Sequence, residues 1–157
     1  MNGGAGDDHI FGSGGSDILR GDAGNDYLDG GTGQDDMNGG TGNDVYFVDN
    51  VADGVSELNG SGTDIVYTYV TYSLDKFVAS NVFLAESIVA TGSLNIALTG
   101  NILNNTLYGS ANGAANSLRG LGGNDTYVVG AGDTIVEALG SPGGVDTVNS
   151  SLISLNL

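Results

Sequence analysis

The chain of 157 residues carries 19 acidic side chains against 3 basic ones, a formal charge of −16; this excludes nucleic acid and anionic lipid surfaces as partners and makes a cation, of which metal ions are the smallest, the natural complement. It contains no cysteine and one proline, which excludes disulfides, thiolate metal sites, cysteine catalysis and proline-rich or collagen-like structure. Hydrophobic residues make up 39% of the chain and recur at regular positions, which argues against the disorder that acidity alone would suggest.

Five nonapeptides run head to tail: 3–11 (GGAGDDHIF), 12–20 (GSGGSDILR), 21–29 (GDAGNDYLD), 30–38 (GGTGQDDMN) and 39–47 (GGTGNDVYF). Positions 1 and 4 are always Gly. Position 6 is always Asp (Asp8, Asp17, Asp26, Asp35, Asp44), and position 8 is always large and mostly apolar (Ile10, Leu19, Leu28, Met37, Tyr46). In an extended segment even positions face one side, so positions 2, 4 and 6 aim toward one line while position 8 points into a core. Glycine lets such a loop take positive φ and lets backbones approach closely. Carbonyls and carboxylates are hard oxygen donors, and calcium takes six to eight of them at about 2.3–2.6 Å. The candidate ligands are therefore the five aspartates together with the loop residues Gly4, Gly6, Ser13, Gly15, Asp22, Gly24, Gly31, Gly33, Gly40 and Gly42. Ser13 and Asp22 stand where the other repeats have Gly at position 2; carbonyl ligation survives there if the backbone conformation does. His9, the sole histidine, falls at position 7 and is expected on the surface.

Five copies in register of the pattern G-G-x-G-x-D-x-U-x resemble the RTX (repeats-in-toxin, haemolysin-type calcium-binding) family. The resemblance implies an all-β, right-handed parallel β-roll or β-solenoid in which two nonapeptides make one coil. Loops of repeats i and i+2 would stack with an ion between them. Asp8, Asp26 and Asp44 would line one edge and Asp17 and Asp35 the other, giving at least three Ca2+ ions. Aspartates that only form Asx turns beside glycines are the plainer alternative, but turn chemistry does not require Asp at position 6 of every copy. Two carboxylates about 4 Å apart repel by about 4 kcal/mol at an effective dielectric near 20, so the ion-free segment is expected to be unfolded. The resemblance further implies a secreted, extracellular bacterial protein that leaves through type I secretion machinery and folds on meeting calcium. A calcium-rigidified structural or adhesive spacer needs the same roll. Part of a polysaccharide-modifying enzyme is a third reading, weakened because Arg20, Lys76 and Arg119 are far apart in sequence and one His offers no persuasive catalytic pairing; no catalysis is expected in this stretch.

After residue 47 the strict repeat dissolves, and a longer one appears. Residues 43–74 resemble 124–155, pairing Asp44 with Asp125, Asp53 with Asp133, Glu57 with Glu137 and Asp64 with Asp146. Asp53, Glu57, Asp133 and Glu137 are either further calcium ligands or solvated turn acids. Tyr67, Tyr69 and Tyr72 alternate as strand residues do. Residues 75–86 are ambiguous and could hold a short helical turn. Residues 101–108 (NILNNTLY) and 116–118 (NSL) read as degenerate repeats with Asn105 and Asn116 where Asp would stand; these keep the turn and lose the charge, so their coils are expected to need no ion. Residues 120–128 (GLGGNDTYV) restore the pattern, with Asp125 as a candidate ligand. That loop reads as isolated, with no aspartate one coil away unless Asn105 or Asn116 serves. The expected division is a five-repeat roll over 1–47, a degenerate solenoid continuation over 48–119 and a second roll-like copy over 120–157. No apolar run reaches membrane-spanning length, the start Met1-Asn2-Gly3-Gly4 lacks the features of a signal peptide, and both ends are expected to be cut from a longer protein.

Overall fold

The structure, a computed structural model, describes residues 1–58, 62–75, 82–83, 85–136 and 144–150. In chain order the strands are β1 (Asn2–Ala5), β2 (His9–Phe11), β3 (Ile18–Ala23), β4 (Tyr27–Asp29), β5 (Asp36–Thr41), β6 (Val45–Val48), β7 (Gly54–Leu58), β8 (Ile65–Thr68), β9 (Tyr72–Ser73), β10 (Val82–Phe83), β11 (Ser87–Ala90), β12 (Ala97–Thr99), β13 (Thr106–Tyr108), β14 (Ser117–Arg119), β15 (Thr126–Val129), β16 (Thr134–Ile135) and β17 (Thr147–Ser150). The described residues contain no helix. Of the ambiguous stretch 75–86, Val82–Phe83 is strand, while 76–81 and 84 lie outside the described residues.

In each nonapeptide positions 4–6 form a loop and positions 7–9 a strand, which on one wall runs on through positions 1–3 of the next repeat (β3, β5), so successive strands fall on opposite walls and each pairs with the next but one. One wall is a single sheet in the order β17-β15-β13-β11-β8-β6-β4-β2; the other is divided into β1-β3-β5-β7-β10 and β9-β12-β14-β16. Every described pairing is parallel except β7 with β10. The chain is therefore a parallel β-solenoid. Its rise is 18 residues per coil in the repeats (His9↔Tyr27, Tyr27↔Val45). The coil then lengthens to 20 (Val45↔Ile65) and 22 (Ile65↔Ser87) before returning to 19 and 20 (Ser87↔Thr106, Thr106↔Thr126).

Position 8 supplies the core. Ile10, Leu28, Tyr46, Val66, Ile88, Leu107 and Tyr127 stack in register up one wall, and all are buried. Leu19, Met37 and Val55, then Tyr72, Leu98 and Leu118, line the other. Burying each such side chain contributes roughly 1.5–3 kcal/mol. Positions 7 and 9 face outward, where His9, exposed as expected, stacks on Tyr27 at 5.1 Å. Tyr27, Phe47 and Tyr67 continue that row of rings.

Candidate metal centre

The loops between strands carry the chemistry. At position 2 the residues hold left-handed backbone in all five repeats, including Ser13 (φ +79°) and Asp22 (φ +76°). For a residue with a Cβ this conformation costs on the order of 1–3 kcal/mol, so the loop shape is imposed by its surroundings and survives the replacement of Gly. At position 4 a Cβ on Gly24 would run into the carbonyl oxygen of Gly6, and one on Gly42 into that of Gly24; these loops stack backbone on backbone, one coil apart. At position 1 the constraint is the carboxylate itself. A Cβ on Gly3 would lie 2.5 Å from Asp8 Oδ2, and one on Gly30 2.5 Å from Asp35 Oδ2.

The aspartates form two ladders along the edges of the solenoid. On one, the Asp8 N–H donates to Asp26 Oδ1, Asp26 N–H to Asp44 Oδ1 and Asp44 N–H to Asp64 Oδ1, each at 2.8 Å, and Asp64 N–H donates to Glu86 Oε2 at 2.8 Å. On the other, Asp17 N–H donates to Asp35 Oδ1 at 2.8 Å and Asp35 N–H to Asp53 Oδ1 at 3.1 Å. Oδ1 of Asp26, Asp35, Asp44, Asp53 and Asp64 thus accepts a backbone N–H. Oδ2 of Asp8, Asp17, Asp26, Asp35 and Asp44, by contrast, is buried with no hydrogen-bond partner. Those five are the position-6 aspartates of the five repeats. A buried unpaired polar atom costs about 1–3 kcal/mol and more if charged, and burial raises Asp26 and Asp44 above the usual carboxylate range despite the backbone donors that lower them. Stacked carboxylate oxygens beside two tiers of loop carbonyls are the donor set that a hard divalent cation takes, so the residues fit calcium.

Three other groups mark where the pattern changes. Asn105 Nδ2 donates to the carbonyls of Ala85 and Glu86, both at 3.4 Å, and Asn116 Nδ2 donates to those of Gly109 at 2.9 Å and Ala114 at 3.2 Å. The amide N–H2 occupies the loop's acceptors itself. Asp53 and Asp133 use both oxygens on backbone donors: Asp53 Oδ2 accepts from Asn50 N–H at 3.1 Å, and Asp133 Oδ2 from Gly130 N–H at 2.8 Å. Asp53 is buried rather than solvated. Asp125, finally, is not isolated. Asn105 N–H donates to its Oδ1 at 2.8 Å, and its own N–H donates to Asp146 Oδ1 at 2.9 Å, so it has an aspartate neighbour one coil further on.

Asp64, Glu86 and Asp146 are ladder members that the sequence reading did not name as candidates. Gly62-Thr63-Asp64 and Gly144-Val145-Asp146 repeat positions 4 to 6 of the nonapeptide, which was a usable signal; Glu86 carried none. Glu57 is 1% exposed. Tyr46 OH donates to its Oε1 and Gly40 N–H to its Oε2 at 3.3 Å. Burial first, then the charges of Asp64 and Asp44, pushes Glu57 up to about 9; burial likewise pushes Asp64 up to about 6. Glu137, its counterpart, lies outside the described residues.

A family model described as the RTX calcium-binding nonapeptide repeat (4 copies) matches residues 1–28, 11–46 and 99–136. The chain matches none of the curated proteins and none of the solved structures with which it was compared. The repeats, the solenoid they build, the unpaired carboxylate oxygens along its edges and the family match agree: the chain belongs to the RTX calcium-binding nonapeptide repeat family.

Proposed function

We propose that calcium binds between the loops of successive coils, that the module folds as it binds, and that this happens outside the cell after export of a larger bacterial protein through type I secretion machinery. The observation that carries the reading is the set of five buried carboxylate oxygens without a partner. Such a ladder opposes folding when empty and favours it when each pair shares a divalent cation, so binding energy becomes folding energy. The loop carbonyls of Gly4, Ser13, Asp22 and their equivalents complete the shells. Extracellular calcium modules work at about 10⁻⁴–10⁻³ M, far above cytosolic calcium, which keeps the chain unfolded and threadable until it emerges. Isothermal titration calorimetry of the metal-stripped chain tests this. At least three calcium ions are expected, one for each of the pairs Asp8–Asp26, Asp17–Asp35 and Asp26–Asp44. No uptake, or equal uptake of magnesium, contradicts it.

A further inference from the structure

The wall opposite Asp44 contributes a charged residue that the repeat does not require. On β7 the inward row is Val55 followed by Glu57, and both are buried. Beside them position 1 is Gly39, whose missing side chain leaves the space into which Tyr46 OH and Asp44 Oδ2 project; a Cβ there would meet both. Asp44, Glu57 and Asp64 each bring one carboxylate oxygen to within 4.8 Å of the others, and their exposures are 0%, 1% and 2%. Independently, Asp44 Oδ2 has no hydrogen-bond partner. Of the basic residues, Arg20 and Arg119 are exposed and Lys76 lies outside the described residues. Three carboxylates this close and this deeply buried require a cation among them if they are to carry charge.

We propose that Asp44, Glu57 and Asp64 together hold one divalent cation, making the last rung of the repeat array a three-carboxylate site where the other rungs offer two. The inference rests on the calcium reading above and specifies which of its sites is tightest. Oxygen-only ligands select a hard cation, and affinity rises with ligand charge and rigidity. Glu57 adds charge, while the Tyr46 hydroxyl, itself fixed by the Gly39 N–H at 2.8 Å, orients that carboxylate. The second long repeat has the same arrangement of described residues: Asp125 is linked to Asp146, and Tyr127 OH accepts from Gly120 N–H at 2.8 Å.

The test is a count of bound calcium by native mass spectrometry at the lowest calcium concentration that loads the wild-type chain, compared with Glu57→Gln. Glutamine keeps the volume and the hydrogen bond from Tyr46 and removes the charge. One ion fewer in the variant, with the affinity of the lost step reduced at least tenfold, is expected. An unchanged count and affinity would overturn the inference while leaving the ladder reading intact; a wild-type chain that takes up no calcium would overturn both. Should Glu57→Gln fail to fold, anomalous diffraction from calcium-loaded wild-type crystals decides: a peak among the three carboxylates supports the site, and its absence there overturns it.

Discussion

Gly39, at position 1 of the fifth repeat, and Gly14, at position 3 of the second, differ in what a side chain would meet. A methyl group at Gly39 collides with Asp44 Oδ2 and Tyr46 OH, whereas at Gly14 it meets Thr32 Oγ1 at 3.1 Å and the Thr32 carbonyl oxygen at 3.7 Å. Gly39→Ala is expected to destabilise the calcium-loaded chain by about 1–3 kcal/mol and Gly14→Ala by about 0.5 kcal/mol or less, measured as thermal midpoints in saturating calcium; equal shifts would contradict the steric role of position 1. Protons supply a second residue-scale test. Glu57 and Asp64 are raised, to about 9 and about 6, from ordinary values near 4.5 and 3.8. The ion-free folded state therefore binds more protons than the unfolded one. That stability is fully present below about pH 4 and is lost as pH rises toward about 9. Without calcium, acidification from pH 8 to 5 is expected to increase β-sheet circular dichroism; with calcium, the same change releases the ion. A β signal that falls on acidification of the ion-free chain would contradict the assignment. The position-6 aspartates were legible because five copies carry them. Glu57 was not: it falls after the strict repeat ends, where an acid in a turn and an acid pointing inward read alike.

At the scale of the element, the three-residue strands owe their burial to one side chain each. Leu28 is fully buried between Ile10 and Tyr46 in its wall, so Leu28→Ala is expected to cost about 2–5 kcal/mol, read from chemical denaturation in calcium; a cost under about 1 kcal/mol would mean that position 8 does not form the core. The strands and loops of the first five repeats were legible because period and chemistry agree there. Past Val48 the coil lengthens from 18 residues to 20 and then 22, and once the period drifts it no longer assigns register. The antiparallel meeting of β7 with β10 and the start of a separate sheet at β9 follow from that drift, and neither had a local signal. Asn105 and Asn116 were legible as uncharged rungs, but that their amides bridge loop carbonyls required the structure.

For the whole molecule, ladders of stacked aspartates run along both edges, and in later coils Asn105 and Asn116 stand in the equivalent loops; on the calcium reading proposed above, the ladders oppose folding without a cation and the asparagines remove that demand. The architecture was readable because the repeat resembles a family in which two nonapeptides make one parallel coil, and the strands do pair at a spacing of 18 residues. The pairing of Asp125 with Asp146 was not, because the intervening segment hides their separation of one coil. The most direct measurement of the central claim is far-UV circular dichroism of the metal-stripped chain at neutral pH during a calcium titration, with magnesium as the control. A cooperative rise in β signal with calcium and none with magnesium is the expected result; a chain already fully β-folded without calcium, and unchanged by adding it, would contradict the coupling of folding to the ion.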